Sequence, residues 1–290
     1  MKVFIDGKYY SERDAKVSVF DHGLLYGDGV FEGIRAYNGR VFKLKEHIDR
    51  LFYSAKAILL NLPMSHAEIM RATVQTCAKN KIRNGYIRLV VTRGVGTLGI
   101  NPNRCKRGSV IIIAGTIQLY PPELYAKGME IVTVPTTRNL HSAVNPAIKS
   151  LNYLNNVLAK IEANNAGVEE AIMLNAEGYV AECTGDNIFI VKDNKLFTPP
   201  LSAGALYGIT RQTVIDLARE SGHEVAEPNL TRYDVFNADE CFLTGTGAEI
   251  IPVTKVDGRA IGNGKPGPIT RKLVADYHAL TNRSGEPIYG

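Results

Sequence analysis

Four places in this 290-residue sequence carry residue types whose setting could support one chemistry. Lys149 stands in Asn145-Pro-Ala-Ile-Lys-Ser150, an apolar, proline-containing approach to a helix start that Ser150 can cap. A lysine at such a junction can be a desolvated amine with a lowered pKa, suited to Schiff-base formation. The plain alternative is a solvated surface lysine. Gly204-Ala-Leu-Tyr-Gly-Ile-Thr-Arg211 runs straight into a predicted helix. Gly208 permits close backbone approach there, and the outward N–H groups of Ile209 and Thr210, with the Thr210 hydroxyl, form an anion cradle. Simple capping by Thr210 is the alternative, and both can hold. Thr244-Gly-Thr-Gly-Ala248 is a second donor-rich turn, and Glu182 is a spare carboxylate at a strand end. A reactive amine, a phosphate cradle and a carboxylate are together what pyridoxal phosphate requires.

Other chemistries are excluded. Gly94-Val-Gly-Thr-Leu-Gly99 matches the G-x-G-x-x-G pattern after a strand, but Ile100-Asn-Pro-Asn103 cannot open the helix that a pyrophosphate needs. No acid follows at about twenty residues to hold a ribose, so the segment reads as a glycine-rich loop. The hydrolase elbow, the zinc signature and the Walker loop are absent, and the six histidines are scattered, so no metal site is expected. Cys77, Cys105, Cys183 and Cys241 form no C-x-x-C pair and read as reduced thiols of a cytoplasmic protein. The first ten residues do not resemble a signal peptide. The apolar run at 110–114 is far too short to span a bilayer, so no membrane partner is expected. A net charge of +5 without a Lys/Arg block gives no nucleic-acid footprint and suits anionic small substrates.

The positioning elements come next. Asp6-Gly7 and Asn38-Gly39 are hairpin turns between strand-like runs. Leu44, Ile48, Leu51, Ala55 and Ile58 line one face of a helix, and a wheel drawn on them puts Arg50 on the opposite, solvated side. Ser65-His-Ala-Glu68 is a capping box for a helix to about residue 79. Strands are expected over 86–93 and 109–119, followed by the break Pro121-Pro122. A strand over 129–134 leads to a helix over 150–164, with Leu151, Leu154, Leu158 and Ile161 on one side and Gly167 as its stop. Hairpins over 171–183 and 188–198, helices over 209–220 and 271–280, and a strand over 240–243 complete the set. Clustered hairpins predict an α+β class with mainly antiparallel sheet. Length fits two domains: a small N-terminal one over 1–120, a linker over 121–128 and a larger one over 129–290.

Four ordered blocks carry a resemblance. They are Tyr26-Gly-Asp-Gly-Val-Phe-Glu-Gly-Ile-Arg35, Lys149-Ser-Leu-Asn-Tyr-Leu-Asn-Asn156, Gly208-Ile-Thr-Arg211 and Thr244-Gly-Thr-Gly-Ala-Glu249. In these the sequence resembles the class IV aminotransferases, the fold-type IV pyridoxal-phosphate family. Phe31 to Arg35 and Tyr86-Ile-Arg88 make it most similar to the branched-chain amino-acid members. The resemblance implies a two-domain fold with a barrel-like large domain. It implies that Lys149 binds pyridoxal 5'-phosphate covalently and moves the reacting proton, and that Glu182 pairs with the pyridine nitrogen. Arg50, Gly208, Ile209, Thr210 and Thr246 would hold the phosphate, Tyr153 the phenolic oxygen, and Leu206 would pack on the ring.

Substrate roles follow from the same resemblance. Tyr26, Phe31, Gly33, Arg35, Ile117 and Tyr120 would lie at the substrate, with Arg88, Tyr26 and Tyr120 meeting a distal carboxylate. Tyr86 and the N–H groups of Thr246 and Gly247 would hold the α-carboxylate. Leu98 and Ile100 would reach into a neighbouring subunit, making a homodimer the minimum and a hexamer an open assembly. The implied reaction passes the amino group of Leu, Ile or Val to 2-oxoglutarate, giving the 2-oxo acid and L-glutamate. Lys149 to Tyr153 is one residue shorter than in some branched-chain enzymes, which keeps a D-amino-acid aminotransferase open. Aminodeoxychorismate lyase and a non-enzymatic globular protein are the other readings.

Overall fold

The computed structural model describes residues 1–117 and 119–289. They form two compact units. The first comprises Met1–Ile117, Ile148–Asn152 and Thr281–Gly290, and the second Gln118–Ala147 and Tyr153–Leu280.

In the first unit, seven strands among the described residues form one sheet. Their order is Glu286–Pro287, Arg40–Val41, Gly29–Tyr37, Gly85–Thr92, Ser109–Gly115, Lys2–Ile5 and Lys8–Ser11. Every pairing is antiparallel. Two tight turns set the register as expected. Asp6 and Gly7 both have positive φ, as do Asn38 and Gly39, which gives the backbone twist a two-residue hairpin needs. Helices Leu44–Ala57 and His66–Lys79 pack on this sheet. Ile48, Leu51 and Ala55 of the first join Ile34, Ile87 and Ile112 in the core. The second opens with the expected capping box of Ser65 and Glu68. The glycine-rich loop after Gly85–Thr92 opens only the short 3-10 turn Pro102–Arg104.

The segment around Lys149 corrects one expectation. Ser150 does not cap a helix. It bridges Val30, while the Phe31 N–H donates to the Lys149 carbonyl and the Leu151 N–H to Gly29. The backbone of residues 149–151 is thus drawn onto strand Gly29–Tyr37, and the helix begins later, at Leu154.

The second unit holds a larger sheet, ordered Val225–Ala226, Lys195–Phe197, Asn187–Lys192, Glu240–Gly245, Glu249–Val256, Met129–Val134, Glu170–Leu174 and Val180–Cys183. Arg259–Ala260 pairs with Glu249–Val256 off this path. The hairpins are antiparallel, but Met129–Val134 runs parallel to both of its neighbours. A parallel neighbour needs a long crossover. Helix Leu154–Asn165 supplies part of it between Met129–Val134 and Glu170–Leu174. The whole is α+β, as expected.

Helix Leu154–Asn165 corrects a second expectation. Its row of large apolar residues does not face the core: Leu154 is 69% exposed, Leu158 47% and Ile161 48%. Asn156, Ala159 and Ala163 are buried instead. Small side chains let the helix lie close to the sheet, where Ala159 and Ala163 pack with Val134, Ala171 and Met173. Asn156 is buried because it accepts from Arg138 and donates to the Thr184 carbonyl. Gly167 stops the helix with positive φ, as expected.

Candidate active site

Lys149 is half-buried. Its N–H donates to Ser54 Oγ at 3.1 Å, and its Nζ lies 4.6 Å from the centre of the Phe31 ring. Ser54 stands on helix Leu44–Ala57, one turn beyond Arg50 and two beyond His47, so one helix face presents all three. Arg50 is buried there, which corrects the wheel reading. A wheel drawn on apolar residues cannot see that Glu32 projects from the strand beneath. Arg50 Nε donates to Glu32 Oε1 at 2.8 Å and Nη2 to Oε2 at 2.7 Å. His47 Nδ1 meets the same Oε2 at 2.7 Å. Burial alone would raise the Glu32 pKa. The Arg50 charge and its hydrogen bonds, with that of His47, more than offset this and hold it at about 2. Burial pushes the His47 pKa down, against the opposing pull of Glu32.

Strand alternation sorts the neighbours of Glu32. Phe31, Gly33 and Arg35 point to the opposite face from Glu32 and Ile34. Gly33 pairs with Arg88, and Arg35 with Tyr86. The Arg88 guanidinium lies 4.7 Å from the Phe31 ring and 5.5 Å from that of Tyr86. A Cβ at Gly33 would collide with the Tyr86 hydroxyl, so the glycine makes room for it. Phe31, Gly33, Tyr86 and Arg88 are therefore brought together beside Lys149. Tyr26 lies on helix His22–Tyr26, its hydroxyl accepting from the Gly99 N–H at 2.7 Å. Leu98 and Ile100 are 72% and 83% exposed in the same loop. Ile117 is half-buried at the end of this unit.

In the second unit Glu182 is buried and ion-paired. Arg138 Nη2 reaches its Oε1 at 2.7 Å. Its Oε2 accepts from the Leu206 N–H at 2.9 Å and from Asn187 Nδ2 at 3.2 Å. Arg138 also donates to Asn156 and to the Gly204 carbonyl. Helix Ile209–Glu220 starts at Gly208 with no side-chain cap, so its first N–H groups face outward beside the buried Thr210. A Cβ at Gly208 would strike Asn187 Oδ1, which is why glycine stands there. The buried Thr244 hydroxyl has no hydrogen-bond partner at the start of the turn carrying Thr246 and Gly247. Tyr153, half-buried, precedes helix Leu154–Asn165.

Tyr120 lies in the second unit. It is 4% exposed in the core of this unit. Its hydroxyl donates to Asp186 at 2.8 Å and lies 3.3 Å from Glu170. Burial, together with the Glu170 charge, pushes the Asp186 carboxyl up to about 7.

Sequence reasoning missed Arg138, Asn187, Glu32, His47 and Ser54. Glu32 lay inside a quoted block, and its alternation away from Phe31 and Gly33 was the available signal. Arg138 lies in a segment without periodicity, where no pattern could assign it. Among the described residues, no cluster of three metal-ligating side chains occurs, and no helix is long and apolar enough to cross a membrane.

Residues 29–256 match the amino-transferase class IV family. The chain belongs to the class IV aminotransferases. A provisionally named branched-chain-amino-acid aminotransferase of Methanocaldococcus jannaschii is 53% identical over 100% of this chain and 99% of that protein. The Escherichia coli branched-chain amino acid aminotransferase has a TM-score of 0.95 at 38% identity, covering 100% of this chain and 97% of that one. The branched-chain aminotransferase of the thermophilic archaeon Thermoproteus uzoniensis, solved with norvaline, has a TM-score of 0.93 at 40% identity, over 100% and 99%. These class IV aminotransferases share the α+β fold described above.

Proposed function

We propose that this class IV aminotransferase transfers the amino group of L-branched-chain amino acids to 2-oxoglutarate, with pyridoxal 5'-phosphate as cofactor. The observation that carries the reading is Lys149, held by Ser54 and Phe31, in a chain that matches the family over residues 29–256. The residues present suit the cofactor. The uncapped start of helix Ile209–Glu220 and the unpartnered Thr244 hydroxyl offer donors for a phosphate, and Glu182, paired with Arg138, offers an acceptor for a protonated ring nitrogen.

Pyridoxal phosphate, when bound, supplies an electron sink for the carbanion formed at the substrate α-carbon. The chain does the rest. Lys149 Nζ would hold the cofactor and, once displaced by substrate, would serve as the base that takes the substrate α-proton. Glu182 keeps a proton on the pyridine nitrogen. Arg50, the N–H groups of Ile209 and Thr210, and Thr246 bind the phosphate. Tyr153 donates to the phenolic oxygen, and Leu206 packs on the ring. Tyr86 and the N–H groups of Thr246 and Gly247 orient the α-carboxylate, and Arg88 meets the distal carboxylate of glutamate. Phe31, Ile117 and Tyr26 accept the aliphatic side chain. The exposed Leu98 and Ile100 favour a homodimer or a larger homo-oligomer. The free cysteines suit a reducing cytoplasm.

Two assays test this reading. Borohydride reduction of the yellow enzyme should fix the label on Lys149, and Lys149→Ala should lose label, colour and nearly all turnover. With 2-oxoglutarate as acceptor, L-leucine should outperform D-alanine. A preference for D-alanine would assign the D-amino-acid activity instead, and a colourless protein taking up no cofactor would overturn both.

A further inference from the structure

We infer that Glu32 is a positioning residue that aims Arg50 at the cofactor phosphate. The inference rests on Arg50 being a phosphate ligand, as proposed above. Glu32 points from strand Gly29–Tyr37 into the core of the first unit, on the face shared by Val30, Ile34 and Ala36. Its side chain is fully buried. At a site built for aliphatic packing, a carboxylate is costly unless its oxygens are satisfied. Three short hydrogen bonds from one helix face satisfy them: His47 Nδ1, Arg50 Nε and Arg50 Nη2. Leucine or isoleucine would fill such a position without any of this, so the carboxylate is best explained by what it does to Arg50.

The effect on Arg50 is geometric. The Nε–Nη2 edge of the guanidinium lies against both Glu32 oxygens in a two-point clamp, which fixes the plane of the group and the direction of its remaining edge. A free arginine side chain would lose rotamer freedom on meeting a phosphate, whereas here that loss is incurred on folding. His47 completes the device. Placed one turn before Arg50, it bonds the oxygen that Arg50 Nη2 also uses and prevents Glu32 from turning away. Ser54, one turn after Arg50, holds the Lys149 backbone. The same helix face therefore fixes both the guanidinium and the segment that carries the reactive amine.

The closing experiment compares affinity for pyridoxal phosphate with affinity for pyridoxal, which lacks the phosphate, using the full chain freed of cofactor. Visible absorbance reads binding. Glu32→Gln removes the charge and one acceptor while keeping the shape. It should weaken pyridoxal phosphate binding at least tenfold and change pyridoxal binding less than twofold. Arg50→Gln should show the same selective loss, and the double variant should lose little more than either single one. Equal losses for both ligands in Glu32→Gln, or none, while Arg50→Gln is selective, would overturn the positioning role alone. No selectivity in Arg50→Gln would overturn the phosphate reading, and the inference with it. Should Glu32→Gln fail to fold, Glu32→Asp, which keeps the charge but shortens the reach, must show a smaller selective loss, and unchanged selectivity there overturns the inference.

Discussion

Arg138 Nη2 sits 2.7 Å from Glu182 Oε1, with side-chain exposures of 5% and 7%. The arginine is otherwise spent on Asn156 and a backbone carbonyl, so it belongs to the architecture around Glu182. Removing one partner of a buried pair leaves the other charge uncompensated, at a cost of roughly 3–5 kcal/mol. Arg138→Gln should approach the lower figure, because Leu206 and Asn187 still serve Glu182. Urea unfolding measures the loss. Glu182 would also gain freedom to leave its position, so the cofactor absorbance of the folded variant should shift. Unchanged stability and spectrum would refute the coupling.

Asp186 gives the protein a pH signature. Its carboxyl is pushed up to about 7 from an ordinary 3.8, first by burial and then by the charge of Glu170. Between those two values the folded state holds a proton that the unfolded state has released. This group's contribution to stability is thus fully present below pH 4 and is lost as pH rises toward 7. Glu32 acts oppositely, since its lowered pKa makes its contribution present above about pH 4.5 and lost as pH falls toward 2. Asp186→Asn should flatten thermal stability between pH 4 and 7. It should be more stable than the parent at pH 8, where the parent has lost this contribution. A variant with the parent's slope over this range would place the proton elsewhere.

Gly33 leaves space for the Tyr86 hydroxyl on the neighbouring strand. Gly33→Ala forces the ring or the strand to move, and overpacking of this kind costs about 1–3 kcal/mol. If Tyr86 orients the substrate carboxylate, the displacement should raise KM for L-leucine about tenfold and leave cofactor affinity nearly unchanged. Steady-state kinetics beside a cofactor titration separate the two. A fall in cofactor affinity equal to the rise in KM would show that the defect is general.

Much of this was legible in the sequence wherever one local rule sufficed. Asp6-Gly7 and Asn38-Gly39 specified their hairpins, Ser65 and Glu68 their capping box, and Gly167 its helix stop, because each needs only its own neighbours. Lys149 and Thr210 stand inside ordered motifs, and Glu182 at a strand end, so each could be singled out from its local setting. Side chains whose burial depends on a distant partner were not legible. Arg50 reads as solvated until Glu32 is placed beneath it, and no local pattern announces that Asp186 receives the Tyr120 hydroxyl. Helix Leu154–Asn165 failed for the same reason. Its strongest apolar periodicity marks the exposed face, while two alanines and an asparagine pack inward.

Apolar faces left in water carry the last prediction. Leu98 and Ile100 are 72% and 83% exposed, and Val19, Phe20, Leu24 and Val95 of the same unit are exposed as well. Large apolar side chains left exposed are common at association sites, and Leu98 and Ile100 lie in the loop expected to serve a neighbouring subunit. A charge at the centre of such an interface must be desolvated without a partner. Leu98→Asp with Ile100→Asp should therefore shift the sedimentation coefficient to that of a monomer and lower turnover at least tenfold. Secondary structure should stay unchanged, because neither side chain contributes to the core. Full activity in a species that sediments as a monomer would show that one chain suffices and that the loop serves something else.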